Sequence, residues 1–119
     1  MIPFELSKDF PHTWFFDLDG TIVKHKGGNE EWTEEDEEIL PGVKELWETI
    51  PKNDKIILVS ARTGKYKDSV LKLLDKEKIR YDHVIFDLPR GERVLVNDTK
   101  PRGLKTAIAW NVDRNKGFQ

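Results

Sequence analysis

The sequence contains no cysteine. That absence excludes a disulfide framework, a thiolate metal site and a cysteine nucleophile, and it suits a reducing compartment, of which the cytoplasm is the simplest. No stretch approaches the roughly 18 consecutive apolar residues of a membrane span. The opening MIPFELSKDF lacks a basic region followed by an apolar one, so the expectation is a protein neither exported nor membrane-bound. A dominant charge is also missing. Twenty basic against 22 acidic residues leave a net charge of -2, which gives no general pull toward nucleic acid or an anionic surface. Repeats, low-complexity tracts and Pro/Gly/Ser linkers are absent, and 119 residues at 37% hydrophobic suit one core. Residues 1–119 are expected to form a single domain.

What is present alternates between two periods. Thr13 to Asp17 is a short apolar run that ends before a Gly-containing turn, and Lys55 to Ser60, KIILVS, repeats the pattern. His83 to Phe86 and Arg93 to Val96 add two more β-branched runs, for four expected strands. Between the first two, Val43, Leu46, Trp47 and Ile50 fall on one helical face behind Pro41. Between the second and third, Tyr66, Val70, Leu73, Leu74 and Glu77 do the same, with Leu71 widening the face. Apolar strands separated by amphipathic helices imply an α/β fold of Rossmann-like type, a parallel sheet with helices on both faces. Leu104 to Val112 is ambiguous, with its TAIAWNV portion leaning toward an edge strand. Trp14, Trp47 and Trp110 read as core.

In open parallel sheets, ligands bind outside the carboxyl ends of the strands. The polar residues there are Asp17 and Asp19 after strand one, Ser60 and Arg62 after strand two, and Asn97 and Asp98 after strand four. Asp17, Asp19 and Asp98 make an all-oxygen anionic cluster, the donor set that Mg2+ prefers. A carboxylate beside such an ion can attack phosphorus, which makes Asp17 the candidate nucleophile, and Asp19 on the turn the candidate acid and base. Gly20 permits the tight turn, while Thr21 and Ser60 offer groups to a phosphate. Two roles stand open for Arg62: contact with substrate, or capping of the following helix.

The pattern Asp17-Leu18-Asp19-Gly20-Thr21, with Ser60 and Asn97-Asp98, resembles the haloacid dehalogenase superfamily over about Thr13 to Lys100. The resemblance implies a Mg2+-dependent phosphatase in which Asp17 is the nucleophile, Asp19 the acid/base and a metal ligand through its carbonyl, Ser60 a phosphate ligand and Asp98 a metal ligand. Two positions depart from the family. Its third-motif Lys is not found where Asp87-Leu88-Pro89-Arg90 stands, so the missing cation is sought, in order, at Arg90, Lys100 and Lys65. The first member of the acidic pair is the amide Asn97.

Only 38 residues separate Thr21 from Ser60, and Asp87 to Glu92 is shorter still. Neither gap holds a cap domain, so a capless form is expected. Lys24 to Glu31, with Gly27 and Gly28, is expected to form a flap, and Trp32 to stand near it. An open site accepts either a large substrate or one enclosed by a neighbouring subunit of a homo-oligomer. The acidic run Glu30 to Glu38, seven acids in nine residues, reads as the solvated start of a helix. His12 and His25 read as surface residues, and His83 as structural.

The favoured substrate is a small phosphomonoester, such as a sugar phosphate of surface-polysaccharide or nucleotide-sugar metabolism, by analogy alone. The alternatives are a nucleic-acid end phosphatase, a non-catalytic module of the same fold, and a receiver-like phosphoacceptor.

Overall fold

A computed structural model describes residues 2–26 and 37–119. Three strands, β1 (Thr13–Asp17), β2 (Lys55–Val59) and β3 (His83–Ile85), form one parallel sheet in the order β1-β2-β3. Helix α1 (Val43–Thr49) joins β1 to β2, and α2 (Lys67–Lys76), entered through a 3-10 turn at Gly64–Tyr66, joins β2 to β3. The α/β class and the parallel sheet follow the periodicity. Among the described residues, no helix is long and apolar enough to cross a membrane.

The strand register is Trp14 to Ile56 and Phe16 to Leu58. These four residues share one pleat face, and that face carries the core with Leu46, Trp47, Val70 and Leu74 from the helices. Helix α1 is buried along Val43, Leu46 and Trp47, and α2 along Val70 and Leu74, as the 3.6-residue spacing requires. Lys78, at φ 57, ends α2 in the left-handed conformation. The Ile79 N–H then folds back to the Leu74 carbonyl at 2.9 Å.

Among the described residues, helices do not cover both faces. Two right-handed crossovers that add strands in the order one, two, three place both helices on the same side of the sheet. The opposite face stays partly open, with Phe15 55% and Ile85 44% exposed.

The fourth expected strand is also unpaired. Among the described residues Arg93–Val96 has no ladder partner, and Val94 and Val96 are 83% and 86% exposed. Seven residues, 86–92, separate β3 from Arg93, whereas a parallel crossover takes about a dozen or more. The expected strand within 106–112 is absent too. Trp110 instead packs against Phe4 and Phe118, with ring centroids 5.7 and 5.2 Å away. That cluster continues through Trp14, Phe16 and Trp47, so the tryptophans read as core do serve the aromatic packing.

The C-terminal residues dock against the start of α1. Phe118 N–H donates to the Pro41 carbonyl at 2.8 Å, and both Gly42 and Gly117 have positive φ at this contact. His12, read as a surface residue, is half-buried. Its ring lies 2.9 Å from Asp54 Oδ2, and its other nitrogen lies 2.7 Å from the Ser7 carbonyl. Asp54 also receives the Trp14 indole N–H at 2.9 Å.

Candidate functional site

Asp17 is the last residue of β1, on the open face, and its side chain remains 38% exposed. One carboxylate oxygen accepts the Thr21 hydroxyl at 3.0 Å, and the other accepts Arg93 Nη1 at 2.7 Å. The turn that follows is built on the Leu18 carbonyl, which receives the Ile22 and Val23 N–H groups at 3.0 and 3.1 Å. Gly20 sits at φ 91, a conformation that a side chain would strain, and a Cβ there would come within 3.1 Å of Arg114.

Asp19 is less accessible, at 13%. Ser60 Oγ donates to its Oδ2 at 2.7 Å, and Arg62 Nη2 pairs with its Oδ1. Acid and base service by Asp19 therefore requires one of these two partners to yield. Behind it, Arg62 also donates to Glu37 twice, at 2.6 and 3.0 Å, and to the Tyr66 carbonyl at 3.1 Å. Burial pushes the Arg62 guanidinium toward losing its proton, but bonds to Glu37 and Asp19 and their charges outweigh this and raise its pKa. It remains a fixed cation.

Ser60 was expected to bind phosphate, but its side chain is fully buried and its proton goes to Asp19. Its oxygen in turn accepts the Arg62 N–H at 2.9 Å. Arg62 is the hub that holds Asp19 and Glu37, and its bond to the carbonyl of Tyr66, the residue before α2, ties it to the start of that helix.

The cation beside Asp17 is Arg93, not one of the residues sought for that place. Arg90 is exposed, and Lys100 is exposed on the segment beyond, where its N–H donates to the Leu104 carbonyl at 2.8 Å. Lys65 lies over the Tyr66 ring, 5.4 Å from its centroid. Arg93 escaped the sequence reading because it opens the RVLV run and was read as a strand residue.

Glu37 escaped for a similar reason, as one acid in a run of seven. A residue whose side chain is wholly buried against a guanidinium has the same sequence signature as its solvated neighbours. The rest of that run to Asp36, the flap glycines Gly27 and Gly28, and Trp32 lie outside the described residues.

The three-carboxylate cluster does not assemble. Asp98 is exposed, its carbonyl accepts the Thr106 hydroxyl, and Asn97 donates to the same hydroxyl at 2.6 Å. Among the described residues, no group of three or more His, Cys, Asp or Glu side chains could hold a metal ion. Within one chain, then, Asp17, Asp19 and Asp98 do not fit a Mg2+ site, because Asp98, five residues beyond the Arg93 that reaches Asp17, is exposed and not grouped with them.

One further residue orders the rim. Asn115, at φ 63, donates from its own N–H to the Gly20 carbonyl at 2.8 Å. Its amide accepts the His25 N–H at 2.7 Å and donates to the His25 carbonyl at 3.0 Å. The C-terminal segment thus clasps the chain leaving the Asp19-Gly20 turn, and His25 joins through its backbone. No family model, no curated protein and no solved structure matches this chain.

Proposed function

We propose that this chain hydrolyses phosphomonoesters through attack by Asp17 on phosphorus. The observation that carries this reading is the state of Asp17: a carboxylate at the carboxyl end of a parallel strand, open to solvent, oriented by Thr21 and faced by a guanidinium. An oxygen of Asp17 forms a bond to phosphorus as the ester bond breaks, and Asp19 supplies the proton to the departing alkoxide. Water then attacks the acyl phosphate, giving its proton back to Asp19 and releasing phosphate and the free Asp17 carboxylate. Arg93 and Arg62 supply positive charge on either side of the two acids, where phosphate charge develops. The haloacid dehalogenase-like reading of the fold, its Mg2+ dependence and a small sugar phosphate as substrate belong to this proposal.

One observation favours a second reading, a binding module without turnover. Both acids are ion-paired, and the third acid is absent from the rim. Release of phosphate from an aryl phosphate, with and without Mg2+, in wild type and Asp17→Asn separates the two. Turnover that Asp17→Asn abolishes supports hydrolysis. Equal and negligible release from both proteins under both conditions overturns it.

A further inference from the structure

We propose that residues 93–98 of one copy pair with the free edge of β1 in a second copy, and reciprocally, to give a strand-exchanged dimer. The first observation is an unpaired edge. β1 bonds only to β2, and among the described residues no other backbone group pairs with it, so its outer row of N–H and C=O groups is a template for another strand. Phe15, in the middle of that edge, is 55% exposed.

The second observation is an unpaired strand in the same chain. Val94, Leu95 and Val96 are three consecutive apolar residues exposed at 83, 52 and 86%, with Leu104 and Ile108 exposed nearby. The segment is braced by the chain that follows it: Thr99 and Lys105 form an antiparallel bridge, and Asn97 and Thr106 bond side chain to side chain.

The third observation decides whose edge receives it. Arg93 is tied to Asp17, at the carboxyl end of its own β1. Both pairings of this sheet are parallel; a strand that continues it beside β1 in the same sense must begin at the opposite end, about 13 Å away, and the seven residues after β3 are too few for that crossover. A second copy removes the conflict. Four steps of extended chain from Arg93 span about 13 Å, the same length as β1. Two copies related by a two-fold axis therefore lay each segment along the other's edge, starting beside one Asp17 and ending beside the other.

In that register Arg93 faces Thr13, Leu95 faces Phe15 and Asn97 faces Asp17. The exposed apolar residues are buried, the edge is removed, and Asp98 of the partner subunit arrives beside Asp17, where one chain alone leaves the acidic set incomplete. This pairing stands on edge, segment and tether, independently of any activity, so its failure leaves the Asp17 reading intact.

The test uses the full chain and its lack of native cysteine. Sedimentation should give a dimer for wild type and a folded monomer for Leu95→Pro, because proline removes a ladder donor at a position exposed in the monomer. Phe15→Cys protein mixed with Leu95→Cys protein and oxidised should form the mixed disulfide between chains. A monomeric wild type, a dimer that Leu95→Pro leaves intact, or a Phe15→Cys/Leu95→Cys double variant that cross-links only within one chain each overturns the proposal. The last result would mean that the segment closes on its own β1.

Discussion

Glu37 accepts two hydrogen bonds from Arg62, at 2.6 and 3.0 Å, and the two side chains are 0 and 3% exposed. Ser69 adds a third bond to the same carboxylate at 2.6 Å. Removing one partner of a buried pair leaves the other charge unmatched, which costs about 3–5 kcal/mol. Arg62 keeps Asp19 as a partner, so Glu37→Ala is expected to lose about 3 kcal/mol, the lower end of that range, in urea unfolding. It should also lower turnover, since Arg62 then turns wholly toward Asp19. Unchanged unfolding would mean that the pair is solvated in solution.

Arg93 is expected to matter more to catalysis than Arg90. Arg93→Ala should lower kcat by about 100-fold, on the scale of losing one electrostatic donor at a reacting phosphoryl group. Arg93→Lys should recover part of it by keeping the charge. A larger loss in Arg90→Ala than in Arg93→Ala would return the role to Arg90.

A Cβ at Gly117 would lie 2.0 Å from the Pro41 carbonyl oxygen, and Gly117 has φ 72. Gly117→Ala must then both strain the backbone and push the tail off α1. A loss of about 2 kcal/mol or more is expected, strain alone contributing about 1–3 kcal/mol. Thermal unfolding measures it. A change of melting temperature no larger than that of Gly91→Ala, where nothing lies within contact, would show that the tail is not docked.

The His12–Asp54 contact makes stability pH-dependent. Burial lowers the His12 pKa, but bonds to Asp54 and the Ser7 carbonyl, with the Asp54 charge, outweigh it and raise the value above 6.5. Burial likewise raises the Asp54 pKa, and bonds from Trp14 and His12 outweigh it and bring it below 3.8. A raised His pKa stabilises fully below the unfolded value and is lost as pH climbs through the folded one. A lowered Asp pKa stabilises above its unfolded value and is lost on acidification. Stability from this pair should peak between those limits and fall from pH 6.5 upward. Melting temperatures across pH 5 to 8 should decline in wild type, and less in His12→Gln, since the slope follows the protons that the titrating ring binds. Parallel declines would assign the slope to other groups.

Much of the framework was legible in the chain itself. The runs at Thr13–Asp17 and Lys55–Val59 and the spacing of Val43, Leu46 and Trp47 specify strands and a helix face, because period 2 and period 3.6 are local properties that burial rewards wherever the chain folds. The same locality set Asp17 at a strand end and Gly20 in the turn.

What the tertiary structure decided is non-local. Whether RVLV becomes a fourth strand depends on seven connecting residues and an available edge, and no periodicity in four residues reports either. Arg93 meets Asp17 across 76 positions and Arg62 meets Glu37 across 25. Charge pairing at such separations is selected by where the backbone carries each group, and a single Glu within an acidic run bears no local mark of its burial. Sequence alone determined the three strands of the sheet, the helix faces and the placement of Asp17. Only the folded chain chose which cation faces that carboxylate, because that choice rests on distances the chain acquires after its elements have packed.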